Sequence, residues 1–382
     1  MADVLITGGA GFIGGYLSRF LIRCGLRVRI LDCLSQQVHG VLPRGLEWLD
    51  DKNIQFIRGT INDRQTVQAA ITDVKYVVHL AAETGTGQSM YEISRYNSVN
   101  TQGTALLLDC LVNGNYKSVK RFVLASSRSV YGEGAYFCDT CADNLGRISP
   151  HSRSEMDLLN GNWEPRCSVC SNQLRPIPTR EDDPVMPASI YAATKLAQED
   201  LVRIACNSIG IEYAILRFQN VYGEGQSLKN PYTGILSIFS NRIRRRLEIP
   251  IFEDGCESRD FVHVEDVVQS ITACINLKHG PNQVVNVGSG AQTTVIEVAS
   301  QLMNALNIKV PLKITSEFRI GDIRHNCADI SKLKSVLGVV PKIALKDGLA
   351  RFVTWVASQP EFDDGLEKAN SELKRKNLMK SK

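Results

Sequence analysis

The spacing of apolar residues near the start of the chain predicts a strand followed by a helix. Residues 3–7 (Asp-Val-Leu-Ile-Thr) form a short apolar run with the length of a buried strand. After a glycine-rich stretch, residues 8–14, apolar side chains recur at helical spacing, and residues 27–31 then predict a second strand. The helical positions are Tyr16, Leu17, Phe20 and Leu21. This strand, glycine turn and helix are typical of a dinucleotide-binding unit.

The glycine turn carries the chemistry of this unit. Gly8 and Gly11 allow a tight turn and a close approach of the backbone to a pyrophosphate, and Gly14 lets the helix pack on the strand. The helix begins near Phe12 and Ile13, and its N-terminus favours an anion. We therefore expect these five residues to contact a dinucleotide.

Asp32 follows the second predicted strand and indicates which dinucleotide binds. A carboxylate at this place accepts hydrogen bonds from the adenosine ribose and repels a 2′-phosphate. The sequence therefore predicts NAD rather than NADP.

Tyr191 and Lys195 supply candidate proton-transfer chemistry. Four residues apart on a helix, their side chains share one face, so the ammonium of Lys195 can favour the phenolate of Tyr191. Such a tyrosine can exchange a proton with a substrate hydroxyl near neutral pH. The pattern is common by chance, and a surface lysine beside a half-buried tyrosine is the alternative interpretation. Context decides between the two.

A third apolar run, residues 122–127, predicts a buried strand that ends in the hydroxyl residues Ser126 and Ser127. Ligands of open parallel sheets bind outside the carboxyl ends of the strands, so these serines should lie near the cofactor.

Taken together, these motifs resemble the extended short-chain dehydrogenase/reductase family, in particular its nucleotide-sugar epimerases. The resemblance runs from residue 3 to about residue 356 and rests on the order of its motifs. They are the glycine turn, residues 79–82 (His-Leu-Ala-Ala), Asn100 ahead of Gly103 and Thr104, Ser127 four residues before Tyr131, and Tyr191 with Lys195. The resemblance implies a Rossmann-type α/β fold, with a doubly wound parallel sheet and a smaller C-terminal substrate-binding lobe.

The resemblance also implies roles for individual residues. Ser127 is similar to the catalytic hydroxyl, Tyr191 to the acid/base, and Lys195 to the residue that holds the nicotinamide ribose and lowers the tyrosine pKa. Asn100 matches a position beside the cofactor. The other implied cofactor contacts are Thr60, Ile61, Leu80, Ala81 and Ala82. Many relatives carry Gly-Asp where this chain has Gly59-Thr60, so a carboxylate contact to the adenine becomes a hydroxyl contact.

Residues 128–129 indicate the reaction within the family. Sugar 4,6-dehydratases place an Asp-Glu pair there, because elimination of water needs a separate acid and base, whereas this chain has Arg-Ser. We therefore expect NAD-dependent epimerisation at C4 of a nucleotide-diphosphate sugar through a transient 4-keto intermediate. A nucleotide-4-keto-sugar reductase is the alternative, and a non-catalytic NAD-binding scaffold is a further one. Arg128 itself could contact a phosphate or serve a structural role.

The substrate contacts are implied by the same resemblance. Asn220 would touch the substrate pyrophosphate, Arg259 and Arg319 would bind the nucleotide phosphates, and Asp322 would meet a ribose hydroxyl. Glu83 is a further candidate substrate contact. Residues 82–91, 230–234 and 321–325, together with the insertion described next, are similar to the dTDP-L-rhamnose 4-epimerase branch, which interconverts rhamnose and 6-deoxy-L-talose on the nucleotide.

An insertion between Ser127 and Tyr191 carries two Cys-x-x-Cys pairs. Four thiolates from such pairs suit one tetrahedral zinc, although the spacing between the pairs is longer than usual and leaves free thiols as the alternative. Disulfides are disfavoured because no secretory segment precedes the first strand, which also predicts a cytoplasmic enzyme. Since the insertion leaves beside one active-site residue and returns beside another, we expect a flap over the active-site mouth. The four cysteines are Cys138, Cys141, Cys167 and Cys170.

Composition limits the partners. The net charge of +4 over 382 residues does not indicate nucleic acid, and no apolar run is long enough to span a membrane. A homodimer is the habit of the family, built from the helix after Asn100 and the helix of Tyr191.

The chain divides into five predicted regions. Two parts of the NAD-binding Rossmann core, residues 1–132 and 181–217, flank the inserted flap, residues 133–180. A nucleotide-sugar-binding lobe with one crossing back to the core follows at residues 218–356. The charged tail, residues 357–382, has little to bury and should be a frayed helix or disordered.

Overall fold

The structure is a computed structural model and describes residues 2–382 except 41–44, 115, 142–144, 231, 233 and 364. Two residues of the 230–234 motif, Pro231 and Thr233, therefore lie outside the described residues, as does part of the predicted flap.

The strands are short and follow one another along the whole chain. They are β1 Val4–Thr7, β2 Val28–Asp32, β3 Ile54–Arg58, β4 Tyr76–His79, β5 Arg121–Ser127, β6 Tyr136–Phe137, β7 Arg147–Ile148, β8 Arg175–Pro176, β9 Glu212–Phe218, β10 Asn220–Tyr222, β11 Ile249–Ile251, β12 Ser258–His263, β13 Gln283–Val287, β14 Gln292–Thr294, β15 Leu312–Ile314, β16 Glu317–Arg319 and β17 Met379–Ser381.

The helices alternate with the core strands. They are α1 Phe12–Arg23, α2 Gln36–His39, α3 Arg64–Ile71, α4 Thr86–Ser89, α5 Ile93–Tyr96, α6 Gly103–Asn113, α7 Glu155–Leu159, α8 Ile190–Ile209, α9 Ile235–Arg244, α10 Val264–Asn276, α11 Val295–Leu306, α12 Ser331–Leu337, α13 Leu345–Ser358 and α14 Leu366–Arg375. A π-helical stretch, Asn97–Gln102, joins α5 to α6, and 3₁₀ turns occupy Glu47–Asp50 and Arg128–Tyr131. No helix of the described residues has both the length and the apolar surface needed to cross a bilayer.

Within the described residues, seven strands form one parallel sheet in the order β13-β9-β5-β4-β1-β2-β3. The order reverses between β1 and β4, and ligands of such sheets bind at this switch point. β1 is buried on both faces, as a central parallel strand requires. The predicted Rossmann-type fold is confirmed.

Helices cover both faces of the sheet. On one face, α1 packs against α10 through residues such as Leu17, Leu21 and Ile271. On the other face, α3, α6 and α8 bury Val67 and Leu107 among other residues. A third apolar cluster lies in the C-terminal lobe, where α9, α11 and α13 pack together. Since each face is closed by helices, polar chemistry is left to the carboxyl edge of the sheet.

The insertion folds as a small antiparallel sheet in which β6 pairs with both β7 and β8. Two glycines with positive φ, Gly132 at 64° and Gly134 at 83°, turn the chain into it. Buried ion pairs then tie it to the C-terminal lobe: Arg153 lies 3.1 Å from Glu133 and 2.8 Å from Glu253.

The C-terminal tail is folded, so the prediction that it is frayed or disordered is wrong. Helix α14 buries Leu366, Ala369 and Leu373, which share one face, while the charged residues occupy the other. β17 then pairs with β16 in antiparallel fashion, and Met379 is 3% exposed. The high charge of the segment concealed this narrow apolar stripe.

Candidate active site

A cavity of about 520 Å³ opens at the carboxyl edge of the central sheet, at the switch between β1 and β4. It is lined by most of the residues that the sequence singled out. They are Gly8, Gly11, Phe12, Ile13, Gly14, Asp32, Thr60, Ile61, Leu80, Ala81, Ala82, Glu83, Ser127, Tyr191, Lys195 and Asn220. The structure thus brings the glycine turn, the strand-end serine and the Tyr191/Lys195 pair to one place.

The glycine turn has the geometry that its sequence requires. Gly8 has φ of 68°, and a Cβ at this position would lie 2.8 Å from the backbone nitrogen of Ala81. At Gly14 a Cβ would lie 2.5 Å from Gly9 Cα, so the helix could not approach the turn. At Gly11 a Cβ would meet only one protein atom, Gly8 O at 3.2 Å, because Gly11 faces the cavity. The turn therefore leaves backbone open to a pyrophosphate, as a dinucleotide needs.

Asp32 is held by the backbone on either side of the cavity edge. Its Oδ2 accepts a hydrogen bond from Ala10 N at 3.0 Å, and its Oδ1 accepts one from Leu34 N at 2.8 Å. A carboxylate has about four acceptor positions, so both oxygens can still accept from ribose hydroxyls. His39 lies 4.0 Å away, and burial lowers its pKa despite the nearby Asp32 charge. The negative charge is thus available, which fits NAD.

Helix α8 presents Tyr191 and Lys195 to the cavity from its first turns. The helix begins after Ser189, whose side chain accepts a hydrogen bond from Ala192 N and caps it. Tyr191 N donates to Ser89 Oγ at 3.0 Å, which fixes the position of this first turn. Lys195 is 3% exposed, and its Nζ donates to the carbonyl of Ala125 at 2.9 Å.

Ser127 ends β5 and lies beside the tyrosine. Its Oγ accepts hydrogen bonds from Ser129 N at 3.2 Å and from Ser129 Oγ at 3.0 Å. With its acceptor positions in use, the hydroxyl proton of Ser127 is left to donate to Tyr191 or to a bound substrate. This orientation suits a hydroxyl that polarises a substrate oxygen.

The electrostatics of the pair differ from the sequence expectation. Burial raises the pKa of Tyr191, while the Ser127 hydrogen bond and the positive charge of Arg128 oppose this rise. Burial lowers the pKa of Lys195 to about 7, and the charge of Glu199 acts in the opposite direction. In this protein, therefore, Arg128 supplies positive charge to the tyrosine that the sequence had assigned to Lys195.

A layer of buried polar side chains supports the catalytic groups from behind. Glu199 accepts hydrogen bonds from Ser126 and, at 3.0 and 2.7 Å, from Arg217. His79 lies between the hydroxyls of Thr7, at 2.7 Å, and Thr104, at 2.8 Å. Burial and the charge of Lys195 lower the pKa of His79 to about 3, so this ring is neutral.

Asn100 is not among the residues that line the cavity, and its contact with the cofactor stays a prediction. It is fully buried; its Oδ1 accepts from Glu83 N at 2.8 Å, and its Nδ2 donates to Glu83 O and Thr194 Oγ1. Both amide hydrogens and one acceptor position of the side chain are thus used in protein contacts. Asn100 fixes the loop of Glu83 against helix α8.

The predicted phosphate and ribose contacts of the C-terminal lobe also lie outside the cavity lining. Arg259 donates to the carbonyls of Ser258, Ile323 and Arg324 at 2.8 to 2.9 Å. Arg319 stacks on the ring of Phe252 at 4.6 Å and donates to Asn370 at 3.0 Å. Asp322 follows on the same segment, where its carbonyl accepts from Arg153 at 3.1 Å.

Side chains to which the sequence gave no definite role also line the cavity, among them Arg128, Gln219 and Gln226. Both polar atoms of the Gln219 side chain, and Oε1 of Gln226, are buried without a hydrogen-bond partner among the described residues. The signal for Arg128 was present, because a charged residue directly follows the strand-end serine. The glutamines carried no comparable signal.

Within the described residues, the insertion does not contribute to the cavity, contrary to the expectation of a flap at its mouth. None of the described residues of 133–180 lines the cavity. The turn at Gly132 and Gly134 and the pairing of Arg153 with Glu253 direct the insertion against the C-terminal lobe instead. The insertion leaves the core beside Ser127 and rejoins it beside Tyr191, but these two points did not determine its direction.

The four predicted metal ligands do converge. The Sγ atoms of Cys138, Cys141, Cys167 and Cys170 all lie within 4.8 Å of one another. Cys138 Sγ and Cys170 Sγ are 3.5 Å apart, well beyond a disulfide bond of about 2.05 Å. A tetrahedral zinc with Zn–S bonds of about 2.3 Å places its sulfurs about 3.8 Å apart. The arrangement therefore suits a single closed zinc site.

A dinucleotide cavity on a parallel sheet, with a serine, tyrosine and lysine at its floor, defines a nicotinamide-dependent enzyme of the Rossmann type. Residues 4–156 and 168–288 match the NAD dependent epimerase/dehydratase family, and the chain belongs to this family. The predictions of family, of an enzyme of the nucleotide-sugar epimerase type and of NAD as cofactor are thereby confirmed.

Individual relatives agree with this family. The chain is 36% identical over 361 residues to the dTDP-L-rhamnose 4-epimerase of Burkholderia thailandensis, covering 93% of this chain and 95% of that protein. The solved UDP-glucose 4-epimerase of Thermotoga maritima with UDP-glucose is similar at a TM-score of 0.74 and 28% identity, covering 93% and 98%. MoeE5, solved in complex with UDP-glucuronic acid and NAD, is similar at a TM-score of 0.72 and 29% identity, covering 93% and 99%.

Proposed function

We propose that the protein is an NAD-dependent 4-epimerase of a nucleotide-diphosphate sugar, with dTDP-L-rhamnose and dTDP-6-deoxy-L-talose as its substrate pair. The observation that carries the proposal is the convergence of Ser127, Tyr191 and Lys195 on one cavity with the glycine turn and Asp32. The choice of sugar is supported by the 36% identical relative of that name.

The residues of the cavity divide the chemistry between them. Bound NAD would accept a hydride from C4 of the sugar and give it back, which is chemistry that the side chains cannot supply. Tyr191 would take the proton of the C4 hydroxyl as the carbonyl forms and return it once the sugar presents its other face. Ser127 would donate to the same oxygen, and Lys195 would hold the cofactor ribose.

The set of carboxylates argues for epimerisation over elimination. Among the described residues that line the cavity, the carboxylates are Asp32, at the cofactor end, and Glu83. Glu83 is 2.9 Å from Arg95. Elimination of water across C5 and C6 needs a separate acid and base beside the sugar, and position 128 holds an arginine instead. A hydride that leaves and returns fits the groups that are present.

Product analysis tests the proposal. Purified protein would be incubated with dTDP-L-rhamnose, without added nicotinamide cofactor, and the products read by NMR. We expect a mixture of the two C4 epimers, because the hydride returns to the sugar. Conversion that consumes added NADH in proportion to product would instead establish the 4-keto-sugar reductase. NAD binding without turnover of any nucleotide sugar would establish the scaffold.

We further propose that the four cysteines hold one structural zinc. Four sulfur ligands leave no position open for a substrate or water, so the metal would stabilise the insertion and take no part in the reaction. Cys138 and Cys167 are 1% and 2% exposed and pack with Tyr136 and Leu174. Reduced thiols suit the cytoplasm, where we propose that the enzyme works. Elemental analysis of protein purified without chelator should give one zinc per chain, and far less metal would refute the site.

A homodimer through the π-helical stretch with α6, residues 97–113, and helix α8 is also proposed. Val112 and Ile204 are 44% and 60% exposed on these helices. Apolar side chains exposed on adjoining helices are consistent with a covered surface. Light scattering should give twice the chain mass, and Ile204→Glu should reduce it to one chain.

A further inference from the structure

Two groups of arginines differ in what their guanidinium groups contact. Members of the first group face carboxylates at hydrogen-bond distance. They are Arg153, Arg217 and Arg324. In the second group, Arg128, Arg259 and Arg319, no carboxylate oxygen lies within 4.0 Å among the described residues. A buried guanidinium without a carboxylate is costly unless an anion joins it.

Within the second group, the charge of one arginine affects the pKa of another. Burial and the positive charge of Arg259 together lower the pKa of Arg128 to about 9, and Asp322 opposes both. Asp322 likewise opposes the lowered pKa of Arg319. Asp322 thus offsets part of the positive charge of this group.

Only Arg128 of these three reaches the cavity. Arg259 uses its terminal nitrogens on backbone carbonyls, and Arg319 lies against Phe252. Arg128 makes a single hydrogen bond within the described residues, from Nε to Asn220 Oδ1 at 3.1 Å. Both of its terminal nitrogens therefore remain without a protein partner in a residue that lines the cavity.

We propose that Arg128 binds the sugar-side phosphate of the substrate, with Asn220 holding the guanidinium in place. The inference rests on the proposed function. A guanidinium presents parallel donors that match two phosphate oxygens, and a single bond through Nε leaves that fork free. The sugar-side phosphate is favoured over the nucleoside-side phosphate because Arg128 directly follows Ser127 and its charge acts on Tyr191. Arg259 and Arg319 add long-range attraction.

Binding of nucleotides that differ by one phosphate tests this assignment. Calorimetric titrations of NAD-loaded wild type and Arg128→Gln would use dTDP and dTMP, since dTMP lacks the second phosphate. We expect Arg128→Gln to weaken the binding of dTDP by about 10- to 100-fold, the range for one lost hydrogen bond to a charged group, and to leave the affinity for dTMP within about twofold. Arg128→Lys should recover part of the loss, because it keeps the charge without the fork.

A control variant and three alternative results complete the test. Arg27→Gln, which removes an exposed arginine outside the cavity, is the matched control and should leave both affinities unchanged. Equal loss for dTDP and dTMP would move the contact to the nucleoside-side phosphate and overturn the assignment. Unchanged dTDP affinity, with reduced preference for UDP-glucuronic acid over UDP-glucose, would assign Arg128 to a sugar carboxylate instead. If wild type binds neither dTDP nor UDP, the proposed function fails, whatever Arg128 does.

Discussion

The glycine-turn domain and the cysteine-bearing insertion differ in what positions their polar groups. In the domain, backbone geometry does this: a positive φ at Gly8 and the ends of parallel strands place the cofactor and proton-transfer groups. In the insertion, side chains from distant parts of the chain do it, since Arg324 meets Glu164 from the insertion and Asp254 from the lobe. The positions of the polar groups in the domain can therefore be predicted from local residue spacing, whereas those in the insertion cannot.

The largest loss of activity should follow removal of the Tyr191 hydroxyl group in the glycine-turn domain. Tyr191→Phe should lower turnover by at least ~10², the effect of removing a general acid/base, while NAD stays bound. Tyr116→Phe, away from the cavity, is the control and should keep full turnover. Steady-state rates and the NAD content of the purified variants decide this. Turnover near wild type in Tyr191→Phe would show that another group moves the proton.

Substitutions in the ion pairs of the insertion should instead lower the free energy of unfolding. Arg324 is 1% exposed and faces Glu164, Glu253 and Asp254, so Arg324→Met removes the positive charge that these three carboxylates share and should cost about 3–5 kcal/mol of unfolding free energy. Arg175→Met, which breaks an exposed pair with Asp139, should cost about 0–1 kcal/mol. Urea titrations of both variants measure the difference. Equal, small losses would mean that the buried network does not hold the insertion.

Much of the domain was accessible from sequence because each of its parts is local. The glycine turn, Asp32 and the Tyr191/Lys195 spacing are each contained in a few residues, and the fold brings them together. The direction of the insertion was harder to predict. We expected it over the cavity, whereas the ion pair of Arg153 with Glu253 ties it to the C-terminal lobe. Asn100 was assigned to the cofactor, and its support of Glu83 was not predicted. Long-range pairs of this kind leave no periodic pattern.

The cysteines allow the insertion to be loosened without touching its ion pairs. Cys138→Ser with Cys141→Ser should raise hydrogen exchange across the described residues of 133–180, because a closed metal site stabilises the segment that it ties. Exchange in β1 and α1 should stay at the wild-type level. Since none of the described residues of the insertion lines the cavity, the change in kcat should be smaller than for Tyr191→Phe. Unchanged protection in the insertion would show that the cysteines do not organise it.

The domain and the insertion should lose stability at different pH values as the solution is acidified. The pKa of His79 falls from 6.5 to about 3 on folding, so the unfolded chain binds the extra proton and stability drops as pH falls below about 6.5. His325 and Arg324 lower the pKa of Glu164 below 4.5, and Arg324 lowers that of Asp254 below 3.8, so the contribution of both carboxylates is lost only under more acidic conditions. Hydrogen exchange between pH 7 and 4 should show the domain weakening first. In His79→Asn this early loss should disappear, and its persistence would contradict the assignment.

The central claim is that the hydride taken from C4 returns to the same carbon. The most direct test uses dTDP-L-rhamnose that carries deuterium at C4, with protein purified as NAD complex and no added cofactor. NMR and mass spectrometry of the product should show dTDP-6-deoxy-L-talose with the deuterium still at C4. Product that has lost the deuterium, or a failure to form the C4 epimer from this or any other nucleotide sugar, would contradict the account.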